Sequence, residues 1–252
     1  MTGERWTGQV AVITGASSGI GAALAKLWCR RGLRVVAAAR RLEKLDALRN
    51  ELGAEDRKRL LPVVCDVRDE PALKSLFTDA ASHFGSVDVL VNSAGLGYQT
   101  PLIGGETELW REMLEVNVLA LCVATREAIE HMARQGSEGH IFHISSMSAH
   151  RATQGSGMYG ASKAAVRSLT ESLRRELHER QLPIRISSVS PGFVETEFHA
   201  RFYGDPEKAE ALYRSMKALT PQDVADCVNF ALEAPPHMQV HDVLLRGKSQ
   251  AT

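Results

Sequence analysis

No apolar run in this 252-residue chain approaches the ~20 residues that a helix needs to cross a bilayer. Nor do the first ten residues, MTGERWTGQV, hold the apolar stretch of a secretory leader. Charge of one sign is missing too. The 30 Lys+Arg balance 30 Asp+Glu, which argues against a nucleic-acid surface or a polybasic membrane face. Cysteine is scarce: Cys29, Cys65, Cys122 and Cys227 stand far apart, with neither a CxxC redox pair nor a zinc knuckle. A reduced, cytoplasmic protein is expected. Linkers, internal repeats and low-complexity runs are absent, which leaves a single domain. What remains is ordinary in composition, 44% hydrophobic and 24% charged. A chain of this length buries roughly 70–75% of its unfolded surface and needs no metal or disulfide staple.

Short, nearly continuous apolar runs alternate with longer amphipathic ones. Strands are expected at 10–14, 35–39, 60–65, 87–92, 140–145, 184–190 and 240–246. Helices are expected at 19–31, 42–52, 70–84, 106–134, 157–180 and 221–232. Strands apolar on both faces, in strict β-α-β alternation, predict an α/β fold: a doubly wound parallel sheet of Rossmann type with helices on both faces. The stretch 198–219 breaks the rhythm after a strand end and reads as a short helical insert, a candidate lid. Helix 106–134 is apolar nearly all round. One sheet covers only one side of it, so a homodimer or homotetramer is expected.

The first strand runs into Thr14-Gly15-Ala16-Ser17-Ser18-Gly19-Ile20-Gly21. Glycines at 15, 19 and 21 permit a tight turn, close backbone approach and tight helix–strand packing. The helix starting there turns free N–H groups and its positive dipole end outward, which suits a pyrophosphate. The spacing is GxxxGxG rather than the commoner GxGxxG. The same residues also fit GxSxG, a hydrolase nucleophile elbow. That reading needs a late histidine at a strand end, and His241 lies inside the last expected strand. The second strand ends Ala39-Arg40-Arg41. A free ribose 2′-hydroxyl is usually met there by a carboxylate, whereas guanidiniums suit a 2′-phosphate, so NADP(H) is expected over NAD(H). The plainer alternative is a solvated basic pair. Asp66-Val67 close the third strand, where an adenine could rest, and Asn92-Ser93-Ala94-Gly95 form a small-residue turn that a flat ligand could approach. Either could be an ordinary polar strand terminus.

Tyr159 and Lys163 share one face of the helix 157–180, in its first turn. An ammonium beside a phenol favours phenolate, so the Tyr159 pKa is expected below its usual value of about 10. Ser146 follows the fifth strand, and its hydroxyl beside that pair can hold and polarise a carbonyl. Asn117 sits in an otherwise apolar helix and must find partners, as a helix-to-helix bond or as part of a polar path to Lys163. His140 and His143, three apart on a strand, face opposite sides. His237 and His241 are four apart on an expected strand, roughly 13 Å, too far to share a metal. No catalytic metal is expected.

Together these residues resemble the short-chain dehydrogenase/reductase family. The likeness covers nearly the whole chain: TGASSGIG, NSAG at 92–95, Asn117, Ser146, YGASK at 159–163 and PGFVET at 191–196. It implies that Tyr159 is the proton donor/acceptor, that Lys163 lowers its pKa and binds the nicotinamide ribose, and that Ser146 orients the carbonyl. Asn117 would hold a proton-relay water. Gly15, Ser17, Ser18, Gly19, Ile20 and Gly21 would take the pyrophosphate side, Asp66 and Val67 the adenine. Asn92 would brace the central turn, Thr196 would meet the carboxamide, and Ala94, Gly95, Pro191, Gly192 and Val194 would also contact the cofactor. Ser93 stands where the family has a second Asn, with little expected effect. A narrower likeness within that family lies in ERW at 4–6, NVLAL at 117–121, TREA at 125–128, SMSAHR at 146–151, DPEKA at 205–209 and DVA at 223–225. It implies an NADPH-dependent reductase of apolar carbonyls, ketosteroids included, with a shorter loop at 148–158.

Ligands of an open parallel sheet sit beyond the carboxyl ends of its strands. Besides the catalytic set, Leu96, Met147, Met158, Phe193, Phe198, Phe202 and Tyr203 are expected there. These side chains predict a bulky apolar ketone, aldehyde or alcohol, such as a ketosteroid or prenyl alcohol. No cluster of Arg or Lys suggests a carboxylate or phosphate handle. His150 and Arg151 are the exceptions, facing either the site or solvent. A 3-oxoacyl reductase of fatty-acid metabolism and a non-catalytic NADP(H)-binding sensor are the competing readings.

Overall fold

The computed structural model describes residues 5–151, 155 and 157–250. Along this chain run β1 (Val10–Thr14), α1 (Gly19–Arg30), β2 (Arg34–Ala39), α2 (Leu42–Asn50), α3 (Ala54–Arg57), β3 (Leu60–Val64) and α4 (Glu70–Phe84). Then follow β4 (Val89–Asn92), α5 (Thr107–Leu114), α6 (Ala120–Gln135), β5 (Gly139–Ile144), α7 (Gly157–Glu179) and β6 (Ile184–Pro191). The chain continues through α8 (Phe198–Tyr203), α9 (Pro206–Ser215), α10 (Pro221–Glu233) and β7 (Asp242–Leu245). The strands form one parallel sheet ordered β3-β2-β1-β4-β5-β6-β7. The chain winds outward from β1 to β3, then returns to β4 on the other side of β1. Ala11 is thus flanked by Val35 and Val89. The carboxyl ends of β1 and β4 face a crevice where the winding reverses, the usual ligand position in this architecture.

Strand alternation divides the core into two halves. Ala11 and Ile13 of β1, Val35 and Ala37 of β2, and Val89 and Val91 of β4 point to one side, where they meet Trp28 of α1 and Val228 of α10. Val10, Val12, Val36 and Leu90 point to the other side, against Phe77 of α4 and Ala124 and Ala128 of α6. All these residues are buried, which is why the strands read as continuous apolar runs.

Where the structure departs from the sequence expectation, polar chemistry is the cause. β4 begins at Val89 because the buried Asp88 carboxylate accepts hydrogen bonds from the Val10 N–H (2.8 Å) and the Ser86 hydroxyl (2.6 Å). β7 begins at Asp242; His241 is exposed at its entrance and His237 lies in a preceding turn, so these two do not share a strand. The expected helix 106–134 is not one uniform, all-round apolar rod. A π-helical turn, Glu115–Leu119, separates α5 from α6, and Leu114 and Leu119 are exposed. The stretch 198–219 folds as α8 and α9, returning to the sheet edge through a bridge between Val194 and Leu219. Residues 1–4, part of the leader reading and of the ERW likeness, lie outside the described residues, as do 152–154 and 156 of the loop 148–158. No helix among the described residues is long and apolar enough to cross a membrane.

Candidate active site

A cleft of about 630 Å³ lies over the carboxyl ends of the central strands. Its floor on the β1 side is backbone. Gly15 has φ +68°, and a Cβ there would stand 2.7 Å from the Ala94 Cα, so only glycine permits the two turns to meet. Gly19, at φ +55°, begins α1, and no side chain caps that helix. The helix start therefore meets the cleft with no side-chain cap and no acid in its own first turn. Gly21 lies behind the cleft, where a Cβ would meet the Gly15 carbonyl oxygen at 2.6 Å. Its role is packing. The Thr14 hydroxyl ties the turns together by accepting from the Ala94 N–H at 3.2 Å.

Of the expected cofactor residues, Ser17, Ser18, Ile20, Arg40, Arg41, Asp66, Val67, Gly95, Pro191, Gly192, Val194 and Thr196 line the same cleft. Arg40 is exposed at its rim. Arg41 donates to the Ser17 and Ser18 hydroxyls at 3.2 and 3.1 Å. Asp66 forms a forked ion pair with Arg68, which holds its carboxyl below the usual range. Asn92 does not line the cleft. It starts a buried chain: its amide donates to Thr125 (2.9 Å), which meets His143 (3.2 Å), which meets Thr170 (2.8 Å). Thr170 donates onward to the Val166 carbonyl at 2.7 Å. That last bond leaves the His143 Nδ1 as donor to Thr170 and its Nε2 as acceptor from Thr125. The ring is neutral, with its pKa pushed down to about 3 by burial. His140 lies on the opposite face, bonded to Ser187 at 2.9 Å.

At the other end of the cleft, Tyr159 and Lys163 rise from the first turn of α7, and Ser146 leaves the end of β5. Ser146 is hydrogen-bonded to the Tyr159 hydroxyl and accepts from the Ser148 N–H at 3.1 Å. The Lys163 ammonium is almost fully buried and donates to the Ile144 carbonyl at 2.8 Å. The expected lowering of the Tyr159 pKa is reversed in this ligand-free chain. Burial pushes the phenol up to about 12 and the lysine down to about 8. Lys163 faces Ile144, 6.0 Å from the phenol ring centre, so desolvation outweighs its attraction for phenolate.

Asn117 projects from the π-helical turn rather than lining the cleft. It accepts from the Leu96 N–H (2.9 Å) and donates to the Leu96 carbonyl (2.8 Å) and to the Ser162 hydroxyl (3.0 Å). The structural alternative of the sequence reading therefore accounts for its carboxamide: it clamps the segment after β4 to α7. It also adjoins the path to Lys163, since a Cβ on Gly95 would lie 3.5 Å from both the Asn117 Oδ1 and the Lys163 Nζ.

Leu96, Met147, Phe193, Phe198, Phe202 and Tyr203 line the cleft as expected, but Met158 does not. It turns inward onto Leu96, Met113 and Val116. Phe198 and Phe202 lie against the Tyr159 ring, at 5.2 and 5.8 Å between centres. Arg151 takes the first of its two expected positions, on the cleft, and Arg68, Arg201 and Arg246, which were not expected there, also line it. Arg201 is held by Tyr98 (2.7 Å) and Glu112 (3.3 Å), which pins α8 to α5. His150 faces neither cleft nor solvent; it bonds Ser190 at 3.2 Å and Asp242 at 3.1 Å.

Gln250 and Glu197 of the wall, and Tyr213 outside it, carry no sequence signal. Gln250 accepts from the Phe193 N–H at 2.9 Å, Tyr213 donates to the Val194 carbonyl at 2.8 Å, and Glu197 reaches Arg41 at 3.0 Å. Each acts between segments well separated in sequence, through contacts that no local spacing announces. The cleft suits a dinucleotide on the structure's own terms: Gly15 lets the two turns meet, and Gly15, Gly19 and Gly95 bring main chain without side chains to its wall. In addition, the buried Ser145 hydroxyl lines the cleft with no partner among the described residues. No group of three or more His, Cys, Asp or Glu among the described residues could hold a metal ion.

Residues 9–206 match the family model described as short chain dehydrogenase. The chain belongs to the short-chain dehydrogenase family. Human dehydrogenase/reductase SDR family member 11 is 43% identical to this dehydrogenase, over 99% of this chain and 98% of its own length. Farnesol dehydrogenase of Aedes aegypti is 39% identical, over 96% and 97%. Among solved structures, the closed form of a serine dehydrogenase complexed with NADP+ superposes with a TM-score of 0.90 at 32% identity, covering 97% of both chains. The Rossmann-type fold expected from the strand and helix pattern is that of its family.

Proposed function

We propose that this dehydrogenase uses NADP(H) to interconvert apolar ketones or aldehydes with the corresponding alcohols. The observation that carries the reading is one continuous cleft joining the glycine cradle to Tyr159, Ser146 and Lys163. When bound, the nicotinamide supplies or accepts the hydride. Gly15, Ser17, Ser18, Gly19, Ile20, Ala94 and Gly95 hold the cofactor's phosphates and backbone, and Arg40 and Arg41 the 2′-phosphate. Lys163 binds the ribose. Ser146 donates to the substrate oxygen and orients it. Tyr159, a neutral phenol with its pKa pushed up to about 12 by burial, holds the proton that reduction needs. In oxidation the Tyr159 phenolate, made accessible by Lys163 and Ser146, takes the alcohol proton and becomes the neutral phenol again.

The insert 198–219 is the lid of this reading. Its aromatic rings and Leu96, Met147 and Phe193 form the apolar contact. Burying ~200 Å² of apolar ligand is worth about 5 kcal/mol at about 25 cal/mol per Å². Size therefore matters more than any one polar contact, and the farnesol in the Aedes relative's name is a bulky apolar alcohol of this kind. We place the chain in the cytoplasm on its free cysteines. It assembles as a homodimer or homotetramer, supported by exposed Leu114, Leu119, Phe230 and Leu244. Light scattering at micromolar concentration tests the assembly, and a monomeric mass refutes it. A carbonyl and alcohol panel with NADPH and NADH, followed at the nicotinamide absorbance, tests the chemistry. The expected result is kcat/KM rising from small to steroid-sized apolar ketones with NADPH. Acyl thioesters or sugars outrunning all of them would overturn it.

A further inference from the structure

One acidic side chain crosses the cleft to the cations assigned to the cofactor. Glu197 immediately precedes α8, yet its carboxylate reaches the turn between β2 and α2. It accepts from the Arg41 guanidinium at 3.0 Å and is paired with the Lys44 ammonium. The same Arg41 nitrogen bonds the Ser17 and Ser18 hydroxyls. Arg41 and Lys44 thus gather on one carboxylate at the rim of the phosphate cradle, and Arg41 also holds the two serines. Lys44 first, then Arg41, hold the Glu197 carboxyl below its usual range.

We infer that Glu197 is a built-in stand-in for the 2′-phosphate of NADP(H), and that the cofactor must take Arg41 and Lys44 from it to bind. This rests on the NADP(H) reading above and adds a competitor and a coupling to it. Both partners of each ion pair are partly exposed, so the pairs are weak and yield to a dianion. A cofactor with a plain 2′-hydroxyl brings no charge with which to displace the carboxylate. Glu197 is joined directly to α8, and Phe198 and Phe202 of α8 cover Tyr159. Exchange of cations from Glu197 to phosphate therefore frees the leading end of the lid when the phosphorylated cofactor arrives. Glu197 is in this sense a specificity-determining residue, linking recognition of the adenosine end to access at the reacting end.

Titration calorimetry with 2′,5′-ADP and with 5′-ADP, on the unaltered protein and on Glu197→Gln, tests this without turnover. The variant is expected to bind 2′,5′-ADP about three- to tenfold more tightly and 5′-ADP unchanged. Amide exchange across 197–204 is expected to rise when the unaltered protein binds 2′,5′-ADP, and not with 5′-ADP. In the variant it is expected to be high from the start. If the unaltered protein distinguishes the two nucleotides but the variant binds 2′,5′-ADP no better, or more weakly, Glu197 is a bystander or a clasp and the inference fails alone. If neither protein distinguishes them, the NADP(H) reading fails and this inference with it. Glu197→Ala serves as the second variant, with circular dichroism to confirm its fold.

Discussion

The two ends of the cleft are built by different means. At the cradle, main chain meets main chain: the Gly15 turn lies on the Ala94 turn, and α1 begins without a side-chain cap. At the Tyr159 end, side chains from distant segments hold one another. Arg201 holds Glu112, Gln250 holds Phe193, Tyr213 holds Val194, and Phe198 and Phe202 lie on Tyr159. Main-chain contact tolerates almost no substitution at a few glycines. Side-chain contact can be retuned one residue at a time. The cradle suits a part common to many ligands, and the other end suits a part that varies.

The hardest break in this comparison is Tyr159→Phe. It keeps the ring against Phe198 and Phe202 and deletes the proton. Turnover should fall by on the order of 10²- to 10⁴-fold while the NADPH dissociation constant stays within about threefold. Retained turnover, by stopped-flow or steady-state assay, would displace Tyr159 from its role. Next comes a pair of glycines, both left-handed. Gly15→Ala forces its Cβ onto the Ala94 Cα, whereas Gly204→Ala, at φ +64°, meets nothing within 4 Å. The second should cost about 1–2 kcal/mol from backbone strain alone. The first should cost more and abolish NADPH binding, as read from urea midpoints and nucleotide titration. Equal costs would mean that the two turns do not bear on each other.

Acid should act on both ends. His143 in the core and His199 under the lid are neutral, pushed down by burial to about 3 and about 4, against about 6.5 in the unfolded chain. Their contribution is complete above about pH 6.5 and is lost as the pH falls through those folded values. The melting temperature should drop steadily from pH 7 to pH 4, and His143→Asn should flatten the slope. An unchanged slope would remove His143 from the balance. The smallest effect is at the rim, where Arg40→Asp should shift preference toward NADH by about tenfold in kcat/KM. Unaltered NADPH preference would assign the 2′-phosphate to Arg41 and Lys44 alone.

The same contrast explains what could be read from the residues in order. Gly15, Gly19 and Gly21 announce the cradle because a turn, a helix start and a close approach are local events with fixed spacing. Tyr159 and Lys163 are legible because one helical turn brings them together. Alternation placed His140 and His143 on opposite faces, as the structure has them. Met158 was misplaced because a residue next to Tyr159 on a helix points about 100° away from it. The phenol's pKa was misjudged because spacing gives proximity but not burial, and burial dominates here. Gln250, Tyr213 and Glu197 act across folds of the chain, and nothing near them in sequence marks their partners.

The π-helical turn at Glu115–Leu119 carries one further consequence. Such a turn is an α-helix with a residue to spare, so it sets the rotational phase between what precedes and follows it. Glu112, before it, must face Arg201 of the lid, while Ala120 and Ala124, after it, must face the sheet. Deleting any one residue from this segment would restore a regular helix. It would also swing α5 by about 100° relative to α6. Asn117 would then leave Leu96, and Glu112 would leave the lid. The segment is a gear whose tooth count is fixed: substitution of its exposed Leu119 can be tolerated, but single-residue deletions or insertions cannot.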